Sequence, residues 1–292
     1  MLERPALTRP VLVAAFRGWN DGGQGASLAG GYLAKTWEAE RFAEIDPEGF
    51  FDFQSTRPHV SLVDGLTRRI DWPENAFYHA RLSGTDRDAI LLLGIEPNLR
   101  WRAFSELIVG LAKDYGVEMM ISLGALLADV PHTRDAPVTG SATDPALVEQ
   151  LNLSTSRYEG PTGIVGVLHD GCREAGIPSV SLWAAVPHYV SLTPSPRAAK
   201  ALCERLGALL EADVDVSDLD EAADAYAEQV SEAVAADSET AAYVEELERR
   251  ADEVEEEQEL NIPSGDTLAA ELTRYLQEHE ARKREEEEDQ SE

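Results

Sequence analysis

The sequence predicts an α/β layer fold, a sheet covered by helices, followed by a helical and strongly acidic extension. Two observations predict the first part. Apolar runs of strand length alternate with amphipathic runs of helical length as far as Leu210, and glycine and proline punctuate them. A third predicts the extension: residues 211–292 hold 30 acidic and 6 basic side chains, against 25 and 19 in residues 1–210, so most of the formal charge of −30 lies there. The expected division is therefore an α/β domain over residues 1–210 and an acidic helical extension over 211–292.

Val11 to Phe16 reads as the first buried strand, Gly18 to Gly23 as a turn, and Ala26 to Trp37 as a helix that sets small residues against a sheet. Arg41 to Ile45 is strand. Val60 to Val63, Thr67 to Asp71 and Phe77 to Leu82 are separated by Asp64-Gly65 and by Trp72-Pro73-Glu74-Asn75, the pattern of an antiparallel meander. Ile90 to Leu93 and Met119 to Leu123 are continuous apolar runs that bracket a helix from Trp101 to Tyr115, with Gly116 as its stop. Together they make a βαβ unit. Ser179 to Ala185 is a further strand, and Arg197 to Leu210 closes the domain as a helix. No repeat of solenoid period recurs.

In the extension, Tyr226, Val230, Val234, Val244, Leu247, Ala251 and Val254 form a thin apolar stripe at helical spacing. Helices with so narrow a stripe need a partner surface, either the first domain or another copy of the chain. Pro263-Ser264-Gly265-Asp266 breaks the run. Asp266 is placed to cap a last helix carrying Leu268, Leu272, Tyr275 and Leu276, and the segment from Lys283 onward is charged and frayed.

Composition excludes several classes. Cys172 and Cys203 are the only cysteines and are not spaced as CxxC, which argues against a disulfide scaffold or zinc ribbon and fits a reducing cytoplasm. The N-terminus lacks the pattern of a signal peptide, and Ala175 to Pro196, the longest uncharged stretch, is broken by prolines and His188, so membrane insertion is not expected. A polyanion without a basic stripe repels nucleic-acid phosphates.

Three segments could carry chemistry. Gly18-Trp19-Asn20-Asp21-Gly22-Gly23 sits between a strand and a helix, where backbone amides could hold phosphate or carboxylate. It lacks the GxxxxGK[ST] and GxGxxG patterns, and a tight turn needs glycine anyway, so an anion site and a structural turn both stay open. Asp21 is a helix cap or a proton acceptor, capping being the simpler role. The loop from Val130 to Gly140 follows a strand end, the usual place for a ligand rim, and offers His132, Arg134, Asp135, Thr139 and Ser141. A plain surface loop is the alternative, and Arg134 can equally pair with a neighbouring carboxylate. In the third, Gly160-Pro161-Thr162-Gly163 precedes an apolar helix that Thr162 could cap. His169 and Asp170 are adjacent and point apart on that helix. His188 ends the last strand, either facing a pocket or satisfied structurally. Asp144 before Pro145 starts a helix. No GxSxG, HxxxH or HExxH occurs, so neither a serine nucleophile nor a metal is nominated, and no cofactor is expected.

Taken in order, Phe16 to Gly23, Val130-Pro131-His132-Thr133-Arg134, Gly160-Pro161-Thr162-Gly163-Ile164-Val165-Gly166 and Val186-Pro187-His188-Tyr189 resemble signature segments of the PAC2 family, the relatives of proteasome assembly chaperone 2. The resemblance spans Pro10 to Leu210, and Ile262 to Asp266 resembles the tail of actinobacterial members. It implies a three-layer α/β sandwich of the phosphorylase/hydrolase-like kind, protein partners that include 20S proteasome subunits, and no established catalytic residues. Chaperones of this family can dock through a C-terminal hydrophobic-Tyr-X tail, whereas this sequence reads Asp289-Gln290-Ser291-Glu292 at that point, so docking of that kind is not expected. The expected protein is a cytoplasmic, homo-oligomeric assembly or interaction protein. The alternative is a binder or enzyme of nucleotides, nucleosides or phosphate, such as a carboxylate-amine ligase, built on Gly18 to Gly23 and the His132 loop.

Overall fold

The computed structural model describes residues 4–142, 144–151, 153–155, 158–190 and 194–260. In chain order the elements are β1 (Val11–Arg17), α1 (Gly25–Thr36), β2 (Glu40–Ile45), β3 (His59–Val63), β4 (Thr67–Asp71), β5 (Asn75–Arg81), β6 (Asp88–Ile95), α2 (Trp101–Tyr115) and β7 (Met119–Ala128). They continue with β8 (Val138–Ala142), α3 (Pro145–Gln150), β9 (Ser154–Thr155), α4 (Ile164–Ala175), β10 (Ser179–Pro187), α5 (Pro196–Leu210), α6 (Ser217–Ala235) and α7 (Ser238–Leu260).

Eight strands form one sheet in the order β2-β5-β6-β1-β7-β10-β8-β9. The centre is parallel: β1 pairs with β6 on one side and β7 on the other, and β10 extends the set beyond β7. These strands are buried on both faces, which is why they read as continuous apolar runs. Along β1 the pleat sends Val11, Val13 and Ala15 to one core, shared with Ala26, Ala29 and Leu33 of α1 and Leu202 and Leu206 of α5. Leu12, Ala14 and Phe16 enter the other, against Phe104 and Ile108 of α2 and Ile164 and Leu168 of α4. Helices thus cover both faces, giving the expected three-layer sandwich.

Pairing differs from the sequence reading in two places. The antiparallel run is divided: β3 and β4 pair only with each other as a two-stranded sheet, while β5 joins the main sheet between β2 and β6. A turn at Asp64-Gly65, both at positive φ, closes the hairpin, and its strands expose most of their side chains, so nothing draws them into the core. In addition, part of the loop expected between Val130 and Gly140 is strand. Val138 to Ala142 pairs antiparallel with β10, and Gly140 lies so close under Leu153 and Leu182 that a Cβ would meet their methyl groups at 2.5 and 3.2 Å. A short run with Thr, Gly and Ser has no alternation to betray it.

The helix of residues 217–235 buries Leu219, Ala223, Tyr226 and Val230 and runs against α5. Its narrow stripe therefore finds its partner in the same chain. Contacts divide the chain into two units, Met1–Ala242 and Tyr243–Glu292. In the second, Arg249 hydrogen-bonds Glu246 and Glu253, pairs of the i,i+3 and i,i+4 kind that support an exposed helix. The break at Pro263 to Asp266, the helix expected around Leu268 to Leu276 and the charged segment after it lie outside the described residues. No helix among the described residues is long and apolar enough to cross a membrane.

Candidate functional site

The turn from Gly18 to Gly23 leaves the carboxyl end of β1, beside the ends of β6, β7 and β10. Its backbone extends the sheet for one step, with Asp21 bridging Ala125 and the Asn20 carbonyl accepting from the Ala125 amide at 2.9 Å. Asp21 Oδ1 accepts from the amides of Ala26 and Ser27 at 2.9 and 3.1 Å, so Asp21 does cap α1. Burial raises its carboxyl above the usual range, opposed by its bonds to Ser27 and Ala26 and by the charge of Arg17, and Oδ2 is buried without a hydrogen-bond partner.

Glu96, one residue beyond β6, organises this turn, and sequence reasoning missed it. Oε2 accepts from the Trp19 amide at 3.1 Å and Oε1 from the Ile164 amide at 2.8 Å. One carboxylate thus ties the turn to the first turn of α4, where helix amides favour negative charge. The approach is close. A Cβ on Gly163 would lie 2.7 Å from Glu96 Oε1 and 2.8 Å from Asn20 Oδ1, and one on Gly18 would lie 2.8 Å from the Cβ of Glu96. Thr162 does not cap α4: its hydroxyl is directed to the Gly163 carbonyl at 3.5 Å, because Glu96 already holds the amide. Gly18, Trp19, Asn20 and Gly163 therefore gather around one protein carboxylate, which stands where the sequence allowed an external anion. Asn20 is buried and its Nδ2 has no hydrogen-bond partner.

His132, Arg134 and His188 form a second group at the ends of β7 and β10. His132 is 2 % exposed, and its Nδ1 lies 2.8 Å from the Tyr189 hydroxyl and its Nε2 2.9 Å from the hydroxyl of Ser231 on α6. Its backbone amide also donates to Tyr189 Oη at 2.8 Å. His132 thus joins the β7 loop, the end of β10 and α6. Arg134 donates to Thr133 Oγ1 at 3.3 Å, and the exposed His188 sits 3.2 Å from Asp129 and 3.4 Å from the Ala128 carbonyl. Ser231 carries no sequence signal, lying 99 residues from His132.

Two further groups bear on chemistry. His169 lies between the hydroxyls of Ser122 and Ser179, 2.9 Å from each, and burial lowers it to about 4, so it is neutral. Its neighbour Asp170 pairs instead with Arg173. Cys172 and Cys203 are free and buried, their thiols pushed up to about 11 and about 12, which keeps them protonated and unreactive at neutral pH. An open cleft of about 310 Å³ lies between α1 and the sheet, lined by Arg17, Gln24, Ser27 and Tyr78 over a floor that includes Leu28 and Leu93. A second, of about 410 Å³, is bordered by Thr133, Arg197, Ser231 and Glu232. Among the described residues, no group of three or more His, Cys, Asp or Glu side chains is placed to hold a metal.

A family model described as the PAC2 family matches residues 15–234. Among solved structures, a PAC2 family protein from Streptomyces avermitilis is 47% identical with a TM-score of 0.75, over 80% of this chain and 99% of that one. A Mycobacterium tuberculosis protein described as a proteasome-assembly chaperone homologue is 46% identical with a TM-score of 0.73, over 80% and 99%. An archaeal proteasome activator from Pyrococcus furiosus is 20% identical with a TM-score of 0.64, over 79% and 96%, a likeness of fold alone. A comparison with curated proteins gave no match. The matched segment runs from β1 into α6 and takes in the Glu96 and His132 clusters, so the chain belongs to the PAC2 family.

Proposed function

We propose that this protein works by binding other polypeptides, as a cytoplasmic assembly chaperone whose partners are 20S proteasome subunits. The observation that carries the reading is the 46% identity, across 80% of the chain, to the mycobacterial proteasome-assembly chaperone homologue. The geometry agrees in kind. Glu96 is spent on two backbone amides and both ring nitrogens of His132 on hydroxyls, so these groups hold loops in place for a surface. In a reconstitution with purified 20S α and β subunits, the protein is expected to bind α subunits or half-proteasomes and to raise the yield of assembled particles. Absence of binding, with normal proteasome assembly in cells that lack the protein, would overturn the reading.

One observation favours a second reading, a binder of small anions. Arg17 lines the 310 Å³ cleft and makes no ion pair among the described residues. Inorganic phosphate and nucleotides would then raise the melting temperature, and Arg17→Ala would abolish the shift. No shift with any of them would remove it.

A further inference from the structure

The cleft between α1 and the sheet holds two opposite charges that do not meet. Arg17 and Glu74 both line it. Arg17 is level with Ile95 on β6, and Asn75 on β5 is level with Gly94, so Glu74, one residue before Asn75, lies on the other side of Ile95. Two strand spacings, about 10 Å, therefore separate the two backbones. Arg17 makes no ion pair among the described residues, while Glu74 pairs through Oε2 with Arg41 at 3.1 Å. Arg41 also pairs with Glu44, so one cation serves two carboxylates and a negative charge is left over at that end. Asp21 and Glu96, the carboxylates nearest the end of β1, accept instead from backbone amides.

The floor of the cleft is apolar, made by Ala15, Leu28 and Leu93. Gly31 of α1 lines it without a side chain, and a Cβ there would meet nothing within 4 Å. A volume of about 310 Å³ stands at the low end of small-ligand pockets, which suits a single amino acid better than a nucleotide or a peptide. The charges select further. A phosphate gains from Arg17 but is repelled by the surplus carboxylate at the Glu74 end, whereas a ligand that carries both signs is attracted by both ends.

We propose that this cleft binds a free α-amino acid with an apolar side chain, its carboxylate on Arg17, its ammonium group on Glu74 and its side chain on Leu28 and Leu93. Arg17 and Glu74 both carry long side chains, which close most of the gap between their strands from either side. A polypeptide terminus does not fit, because it carries only one of the two charges beside its last Cα. The proposal rests on the reading of this cleft as a site where Arg17 holds a small anion, and it makes that anion an amino-acid carboxylate. It is independent of the proteasome reading.

The test is isothermal titration calorimetry of the full chain with L-leucine. Leucine is expected to bind. N-acetyl-L-leucine and L-leucinamide, which each lack one of the two charges, are expected to bind about tenfold more weakly or worse, and inorganic phosphate to bind more weakly still, through Arg17. Arg17→Ala and Glu74→Gln are each expected to weaken leucine by about tenfold or more. Gly31→Phe fills the cleft from an exposed position in mid-helix, so it is expected to abolish binding while native circular dichroism is kept. Phosphate binding through Arg17 with leucine inert would overturn the proposal and leave the small-anion reading standing, whereas silence with both would overturn the two together. Equal affinity for leucine and N-acetyl-L-leucine, or leucine binding that survives in a folded Gly31→Phe, would also overturn the proposal.

Discussion

Glu96 and His169 show how single polar groups set this structure. Glu96 accepts from one amide of the Gly18 turn and one of α4, so its removal frees a half-buried donor on α4 and an exposed one in the turn. Glu96→Ala is expected to cost about 1–2 kcal/mol, read as a lowered urea midpoint, while Glu96→Gln keeps one acceptor and loses about half of that. Gly163→Ala, which drives a methyl onto Glu96 and Asn20, is expected to be as harmful as Glu96→Ala. A wild-type midpoint for Gly163→Ala would refute the close packing. His169 bears on pH. Its two ring nitrogens face the hydroxyls of Ser122 and Ser179, both buried residues. With the folded pKa lowered to about 4 from the ordinary 6.5, the unfolded chain takes up this proton first. Stability is therefore complete above about pH 6.5 and falls as pH drops from 6.5 toward 4, by about 2 kcal/mol at pH 5. His169→Gln is expected to be less stable at neutral pH and to lose that dependence, which urea unfolding at pH 7.5 and pH 5 would check.

At the scale of elements, α6 belongs to the packing of the first unit. Leu219, Ala223, Tyr226 and Val230 are its buried stripe, α5 is its neighbour, and Ser231 reaches the β7 loop through His132. A chain that stops at Glu211 would leave the outer side of α5 bare. It is expected to bind a hydrophobic dye and to melt well below the full chain, whereas unchanged melting would show that α6 adds nothing to the fold. Val230→Ala should cost about 1–2 kcal/mol through lost burial. Many elements were legible beforehand because their signals are local: α2 runs over Trp101–Tyr115 and stops at Gly116 as expected, and Asp144 caps α3 by accepting from Ala146. The hairpin was legible as two strands with an Asp-Gly turn, but its separation from β5 was not. Antiparallel pairing in sequence order is the default, and only the sheet's choice of β2 and β6 as neighbours for β5 reveals the gap.

For the molecule as a whole, the sheet order places β1 between β6 and β7, and the segments leaving the carboxyl ends of these strands carry both polar clusters. Substitutions at Leu62 and Ile70 of the β3–β4 hairpin are expected to leave fold stability within about 0.5 kcal/mol of wild type, because both side chains are exposed and outside the two cores. A large loss of stability in a Leu62→Glu, Ile70→Glu variant would mean that the face is covered within the chain. By itself, the sequence determined the α/β alternation, the buried parallel strands, the capped helices, the acidic extension and the four segments that mark the family, since each is written in neighbouring residues. Tertiary structure alone decided that Glu96 ties the Gly18 turn to the start of α4, that His132 is locked by Tyr189 and Ser231, and that β3 and β4 pair apart from the main sheet. The physical reason is distance along the chain: Glu96 and Ile164 are 68 residues apart and His132 and Ser231 are 99, and no local pattern records a hydrogen bond that the packing of separate layers brings about.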